Sequence, residues 1–257
     1  MPAESFAPGE IAAAPECPLH LSTADDAALT LLPGIAPGIA PGIALRQGRV
    51  HEACGPARWL LAAWVMGATQ GRKPSPPPAT VWIRPAWSGD RINPHGLAAW
   101  ADPGALIMVE CPQTTDLLWC AEESLRAGSA ALVVIDLPEP PELTPVRRLH
   151  LAAETGAARV RAHRPGQDRR QNPPLSPLGL ILTPGTGGGA GVESRWHMAG
   201  LPPADGTPGC GPASGPASGR WHLTRLRART APPARWEITQ PTHHHPDLRM
   251  TPDPATC

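Results

Sequence analysis

Ala130–Leu137 reads AALVVIDL. An unbroken apolar run of this length, β-branched at its centre, is the pattern of a strand covered on both faces, as in a parallel sheet. On its N-terminal side, Thr114 or Thr115 is placed to cap a helix with Asp116 in the first turn. Leu117, Leu118, Ala121 and Leu125 line one face of that helix, and Arg126 followed by Gly128 closes it. On the C-terminal side, Thr144–Pro145 suits an N-cap and first helical position, Val146, Leu149 and Ala153 face inward, and Gly156 reads as the stop.

The same alternation extends further out. Arg49–Cys54 (RVHEAC), Thr80–Arg84 (TVWIR) and Ala105–Glu110 (ALIMVE) read as strands. An apolar helix through Trp59, Leu60, Leu61, Trp64 and Val65, and a short helix over Gly96–Ala101, lie between them. Strand–helix alternation at this spacing predicts an α/β fold, a mostly parallel sheet flanked by helices, over residues 46–175. Beyond 175 the stretches LGLILT (178–183), SRWHMA (194–199), RWHLTRLRA (220–228) and RWEIT (235–239) read as strands with no helix between them. They predict an antiparallel β extension over 176–240, with a hairpin across APPA (231–234).

Both ends read as irregular. Residues 1–45 form a Pro/Ala/Gly-rich lead ending in PGIA at 33–36, 37–40 and 41–44. Pro and Gly in every unit speak against helix and strand alike. GPAS at 211–214 and 215–218 is a second short repeat, and 241–257 reads as a disordered tail. The 257 residues include 36 Pro and 26 Gly at zero formal net charge, which fits one modest core with loose ends.

Composition narrows the function classes. No apolar run reaches the roughly 20 residues of a membrane span. The N-terminus carries Glu4, Glu10 and Glu16 and no basic start, unlike a signal peptide. Six cysteines (17, 54, 111, 120, 210, 257) make no C-x-x-C, so free thiols in a reducing cytoplasm are expected. Basic residues are 21 Arg and a single Lys, Lys73, a bias that GC-rich codons produce. Residues 1–144 hold 8 basic against 15 acidic side chains, and residues 145–257 hold 14 against 7. The basic half suits nucleic acid or an acidic partner.

The first strand-to-helix turn, HEACGPARW (51–59), stands where a phosphate loop would be. G-x-x-x-x-G-K-[ST] is absent from the chain, and with it the Lys and hydroxyl that phosphate and magnesium need. Cys54, Gly55 and Arg58 are what remains of such a loop, which speaks against ATP hydrolysis by the usual route. Asp136 ends the apolar strand where an NTPase places its magnesium carboxylate. TPGTGGGAG (183–191) has the spacing G-x-G-x-x-A through Gly185, Gly187 and Ala190, but no helical pattern follows, so it reads as a flexible loop. His243, His244 and His245 lack partners at metal-ligand spacing. No catalytic residue, metal or cofactor is expected. Arg147 and Arg148 at a helix start, and Arg225, Arg227 and Arg229 alternating on one strand face, are the candidates for partner or DNA contact. Trp221 and Trp236 could stack on bases or fill a hairpin core, and the core reading is preferred.

GRVHEACG (48–55), VWIRP (81–85), GLAAWADPGALIMVE (96–110), LLWCAEESLRAGSAALVVIDL (117–137) and LTPVRRLHLAAETG (143–156) together resemble the ImuA family. SRWHMA (194–199) and RWHLTRLRARTAPPARWEI (220–238) are similar to that family's Arg/Trp-rich end. The resemblance implies a RecA-like core and a non-catalytic, SOS-induced role in mutagenic translesion DNA repair. The implied partners are an ImuB-like protein related to Y-family polymerases, a DnaE-type error-prone polymerase and RecA. The relation of the family to SulA makes a cell-division inhibitor the alternative, and a DNA-binding RecA-like protein a further one.

Overall fold

The computed structural model describes residues 28–32, 43–71, 77–163, 176–202, 219–240 and 249–252. In chain order the first elements are β1 (Ala28–Leu32), β2 (Ile43–Arg46), β3 (Val50–Cys54), α1 (Arg58–Gln70), β4 (Thr80–Pro85), α2 (Pro94–Leu97) and β5 (Leu106–Cys111). There follow α3 (Thr114–Ala127), β6 (Leu132–Asp136), α4 (Leu143–His163), β7 (Leu178–Thr183), β8 (Ser194–Gly200), β9 (Gly219–Ala228), β10 (Ala234–Gln240) and β11 (Arg249–Pro252).

The AALVVIDL stretch supplies β6, whose five residues are all buried. It pairs in parallel with β4 on one side and β7 on the other. The full sheet has nine strands in the order β11-β10-β9-β8-β3-β7-β6-β4-β5. From β8 to β5 every pairing is parallel, and β9, β10 and β11 add antiparallel strands beyond β8. The fold is the expected α/β class, with helices on both faces.

Alternation along the strands divides the core. Leu132 and Val134 face a tryptophan-rich layer containing α1, whereas Val133 and Ile135 face α3 and α4. Six consecutive residues of α1, Leu61–Met66, are buried. A helix buried this completely needs cover on two sides. The sheet gives one side, and the β1–β2 hairpin gives the other, burying Leu29, Ile43 and Leu45.

Several expectations are corrected. The lead is not wholly irregular: β1 and β2 lie within it, and the Ile-Ala of the third PGIA copy opens β2. β7 belongs to the parallel sheet between β3 and β6, so the antiparallel extension begins after β8 and not at residue 176. Its all-buried run resembles β6, and its crossover helix α4 is present, on the far side of residues 164–175. β11 falls in the expected tail. Neither Thr114 nor Thr144 is a cap: both are helical, and Gln113 precedes α3 without a side-chain cap bond. Gly128 does close α3, with φ 70°. The first two PGIA copies, GPAS, Lys73, His243–His245, Cys17, Cys210 and Cys257 lie outside the described residues.

Gly156 does not stop α4. It sits mid-helix where α4 crosses α3, and a Cβ there would overlap the Leu125 carbonyl oxygen and come within 2.9 Å of Pro177. Helix propensity alone would make Gly156→Ala stabilising by about 1 kcal/mol. The contact reverses the sign, and a loss of roughly 1–3 kcal/mol is expected in urea unfolding. A gain in stability would mean that the two helices separate freely.

Candidate functional site

In open α/β sheets ligands sit at the carboxyl ends of the strands. Here the turns after β3, β4, β6 and β7 converge at that edge. β3 lies centrally and all five of its residues are buried.

Glu52, in the middle of β3, is fully buried. Its carboxylate accepts hydrogen bonds from Thr183 Oγ1 at 2.7 Å, Gly188 N at 2.9 Å, Gly189 N at 3.1 Å and Arg195 Nε at 2.5 Å. Arg195 also donates to the Gly189 carbonyl at 2.9 Å. Burial pushes the Glu52 carboxyl up, but the bonds from Arg195, Thr183 and the two amides outweigh it and hold it below the usual range. The glycine-rich loop is therefore not a free flexible segment. Its amides, which could cradle a phosphate, are turned onto an internal carboxylate. Gly187 has φ 72°, and a Cβ there would lie 2.7 Å from Glu52 Oε1. Glu52 and Arg195 went unnoticed in the sequence because partners 143 residues apart carry no local signal.

The turn after β3 is tightly closed. Gly55 has φ 90°, and a Cβ would come within 2.5 Å of the Met198 carbonyl oxygen. Ala57 N donates to that same oxygen at 3.0 Å. Cys54 is buried and donates to the Trp196 carbonyl at 3.4 Å. Burial pushes its thiol up to about 12, so it is not a nucleophile at neutral pH.

Arg58 opens α1, and its Nε is buried without a partner among the described residues. Asp136 ends β6, within electrostatic range of Arg58. Burial raises the Asp136 carboxyl to about 6, against the pull of Arg58 and then Arg84, while Asp90 adds to the rise. Arg84, 1% exposed, donates to Glu110 at 2.8 Å and to the Ser88 carbonyl at 2.6 Å. Asp136 thus feels the charges of Arg58, which opens α1, and of Arg84, whose place inside a strand pattern hides it in the sequence. No group of three or more metal-ligating side chains occurs among the described residues.

The arginine candidates separate into two kinds. A bulge between β8 and β9 opposes Arg195 to Arg227 and the next residue, Trp196, to Arg225, skipping Leu226. Arg225 and Arg227 therefore point to opposite faces, and the single cationic stripe expected from alternation does not form. Arg225 is buried over the rings of Trp196 (5.6 Å) and Trp236 (5.2 Å) and donates to the Pro232 carbonyl. Arg229 lies 3.6 Å from Glu193 and donates to the Gly191 carbonyl at 3.1 Å. Arg148 pairs with Glu122 at 2.6 Å. Arg147 and Arg227 are exposed. Trp236 stacks on Trp196 and is core as preferred, while Trp221, half-buried, packs edge-on against Trp64 and Trp100 at the margin of that core.

No protein-family model matches the chain, and no curated protein sequence matches it. No helix among the described residues is long and apolar enough to cross a membrane.

Two buried histidines lie at this strand, His51 within β3 and His150 on α4 against its first residue. His51 Nε2 donates to the Arg46 carbonyl at 3.0 Å, while Nδ1 lies 2.7 Å from Ser194 Oγ, which itself accepts from Trp196. His150 Nδ1 accepts from Val50 N, and Nε2 donates to the Gly191 carbonyl. Burial pulls each down to about 4. The unfolded chain binds those protons first, so stability is full above about pH 6.5 and falls as pH drops toward 4, by roughly 3 kcal/mol per histidine. Imidazole nitrogen NMR should find both rings neutral, as Nε2–H tautomers, until the protein unfolds. A ring titrating near 6.5 in the folded protein would contradict this packing.

Asp136 works the other way. Its raised value means the carboxylate is tolerated at a cost that grows as pH rises from about 4 through 6. Asp136→Asn should stabilise the protein, by more at pH 8 than at pH 5, to a limit of roughly 3 kcal/mol. Urea unfolding at the two pH values measures it, and a uniform loss would show that Asp136 is held by a direct ion pair.

Proposed function

We propose that the chain is a non-catalytic adaptor of DNA-damage-induced mutagenic repair, acting in the cytoplasm. One observation carries the reading: the edge where a RecA-type core would take nucleotide is filled from within. The glycine-loop amides bind Glu52, and Gly55 is packed against β8. A scaffold with that edge occupied serves through its surface. The ordered ImuA-like motifs favour an ImuB-like protein, a DnaE-type polymerase and RecA as the proteins it joins.

The structure redirects the choice of docking residues. Arg225 is interior, so its replacement would damage the core rather than report on a partner. Arg147 and Arg227 are exposed and suited to acidic partner side chains.

Affinity purification of the tagged chain from cells given a DNA-crosslinking agent, read by mass spectrometry, tests the proposal. Recovery of the three proteins is expected, weakened by Arg147→Glu with Arg227→Glu at unchanged thermal stability. Recovery of division proteins, with filamentation on overexpression in the absence of the repair polymerase, would replace this reading by the SulA-like one. Magnesium-dependent ATP turnover by the pure protein, abolished by Asp136→Asn, would overturn it.

A further inference from the structure

Cys111 ends β5, the outermost strand at one edge of the sheet, and Cys120 is the seventh residue of α3. Their Sγ atoms are 3.7 Å apart, and each sulfur has the other as its hydrogen-bond partner. A disulfide needs about 2.05 Å between sulfurs, so the pair closes by moving together less than about 2 Å. Cys111 is buried, whereas Cys120 is half-buried beside Trp119, which is 61% exposed. Cys54 differs: its thiol is fully buried and bonded to a backbone carbonyl instead of to a second sulfur.

We propose that Cys111 and Cys120 are an oxidation site, a dithiol that hydrogen peroxide converts to an intramolecular disulfide tying β5 to α3. Cys120 is half-buried and Cys111 buried, so Cys120 is the group that meets the oxidant, while burial, with the Cys120 contact next, pushes the Cys111 thiol up to about 11. The Cys120 thiolate attacks one peroxide oxygen, the O–O bond breaks, and the departing hydroxide takes a proton to leave as water. Cys120 is then a sulfenic acid. Cys111 sulfur attacks the sulfenic sulfur, the S–S bond forms and the S–O bond breaks. The released hydroxide takes the Cys111 proton as a second water. Two thiols lose two electrons, and one peroxide gains them. The product pins the outermost strand of this edge, where Ile107 and Met108 are exposed, to the helix behind it.

The full chain, treated with hydrogen peroxide, alkylated and mapped by mass spectrometry, tests this. Cys111 and Cys120 should lose alkylation in parallel, and a linked Cys111–Cys120 peptide lighter by about 2 Da should appear and vanish with dithiothreitol. Cys54 should stay reduced. In Cys111→Ser, Cys120 should stop at the sulfenic acid, trapped by dimedone. In the wild-type chain, accumulation of that sulfenic acid with Cys111 still alkylated, a Cys120 bond to another cysteine, or two thiols inert to peroxide would each overturn the proposal.

Discussion

A single buried carboxylate organises the centre of the molecule. Glu52 lies in a strand with no solvent on either face, where an unpaired charge would cost several kcal/mol. Its oxygens are satisfied by β7 through Thr183, by the following loop through Gly188 and Gly189, and by β8 through Arg195. Those bonds fix which residue of β8 lies beside which residue of β3, since Glu52 and Arg195 are register partners. The antiparallel strands are built onto β8, so their placement descends from the same carboxylate.

Three of the chain's 22 basic residues are taken up inside the fold. Arg195 serves Glu52, Arg84 serves Glu110 and the Ser88 carbonyl, and Arg225 lies over two indole rings. The guanidinium group tolerates this because it is planar, weakly hydrated and stacks on aromatic faces. The charge asymmetry read along the chain therefore overstates the basic surface. What remains exposed near the candidate contacts is smaller and divided between α4 and β9.

Legibility followed the range of the determining contacts. β6, α3 and its closing Gly128 were readable because apolar runs and helix ends are written in neighbouring residues. β7 was misassigned because a buried strand looks alike in any sheet and only its neighbours reveal its direction. Gly156 read as a stop because its partner, the Leu125 carbonyl, is remote. Arg225 was placed on the surface because strict alternation cannot foresee a bulge at Leu226. At the candidate site, Arg58 and Asp136 were visible through their positions at strand and helix ends. Arg84 and Glu52 were not, since a charge inside a strand pattern reads as solvent-facing until the sheet is assembled.

The β1–β2 hairpin gives the PGIA tract an unusual tolerance. Each unit ends in Ile-Ala, and the last such pair opens β2, with Ile43 buried against α1. Gaining or losing whole units leaves the residues entering β2 unchanged, because any copy supplies the same pair. Only the ten-residue connection between the strands changes length. Lengthening it by one unit costs about 0.3 kcal/mol in closure entropy. Copy number at this position can drift between generations while the core stays the same.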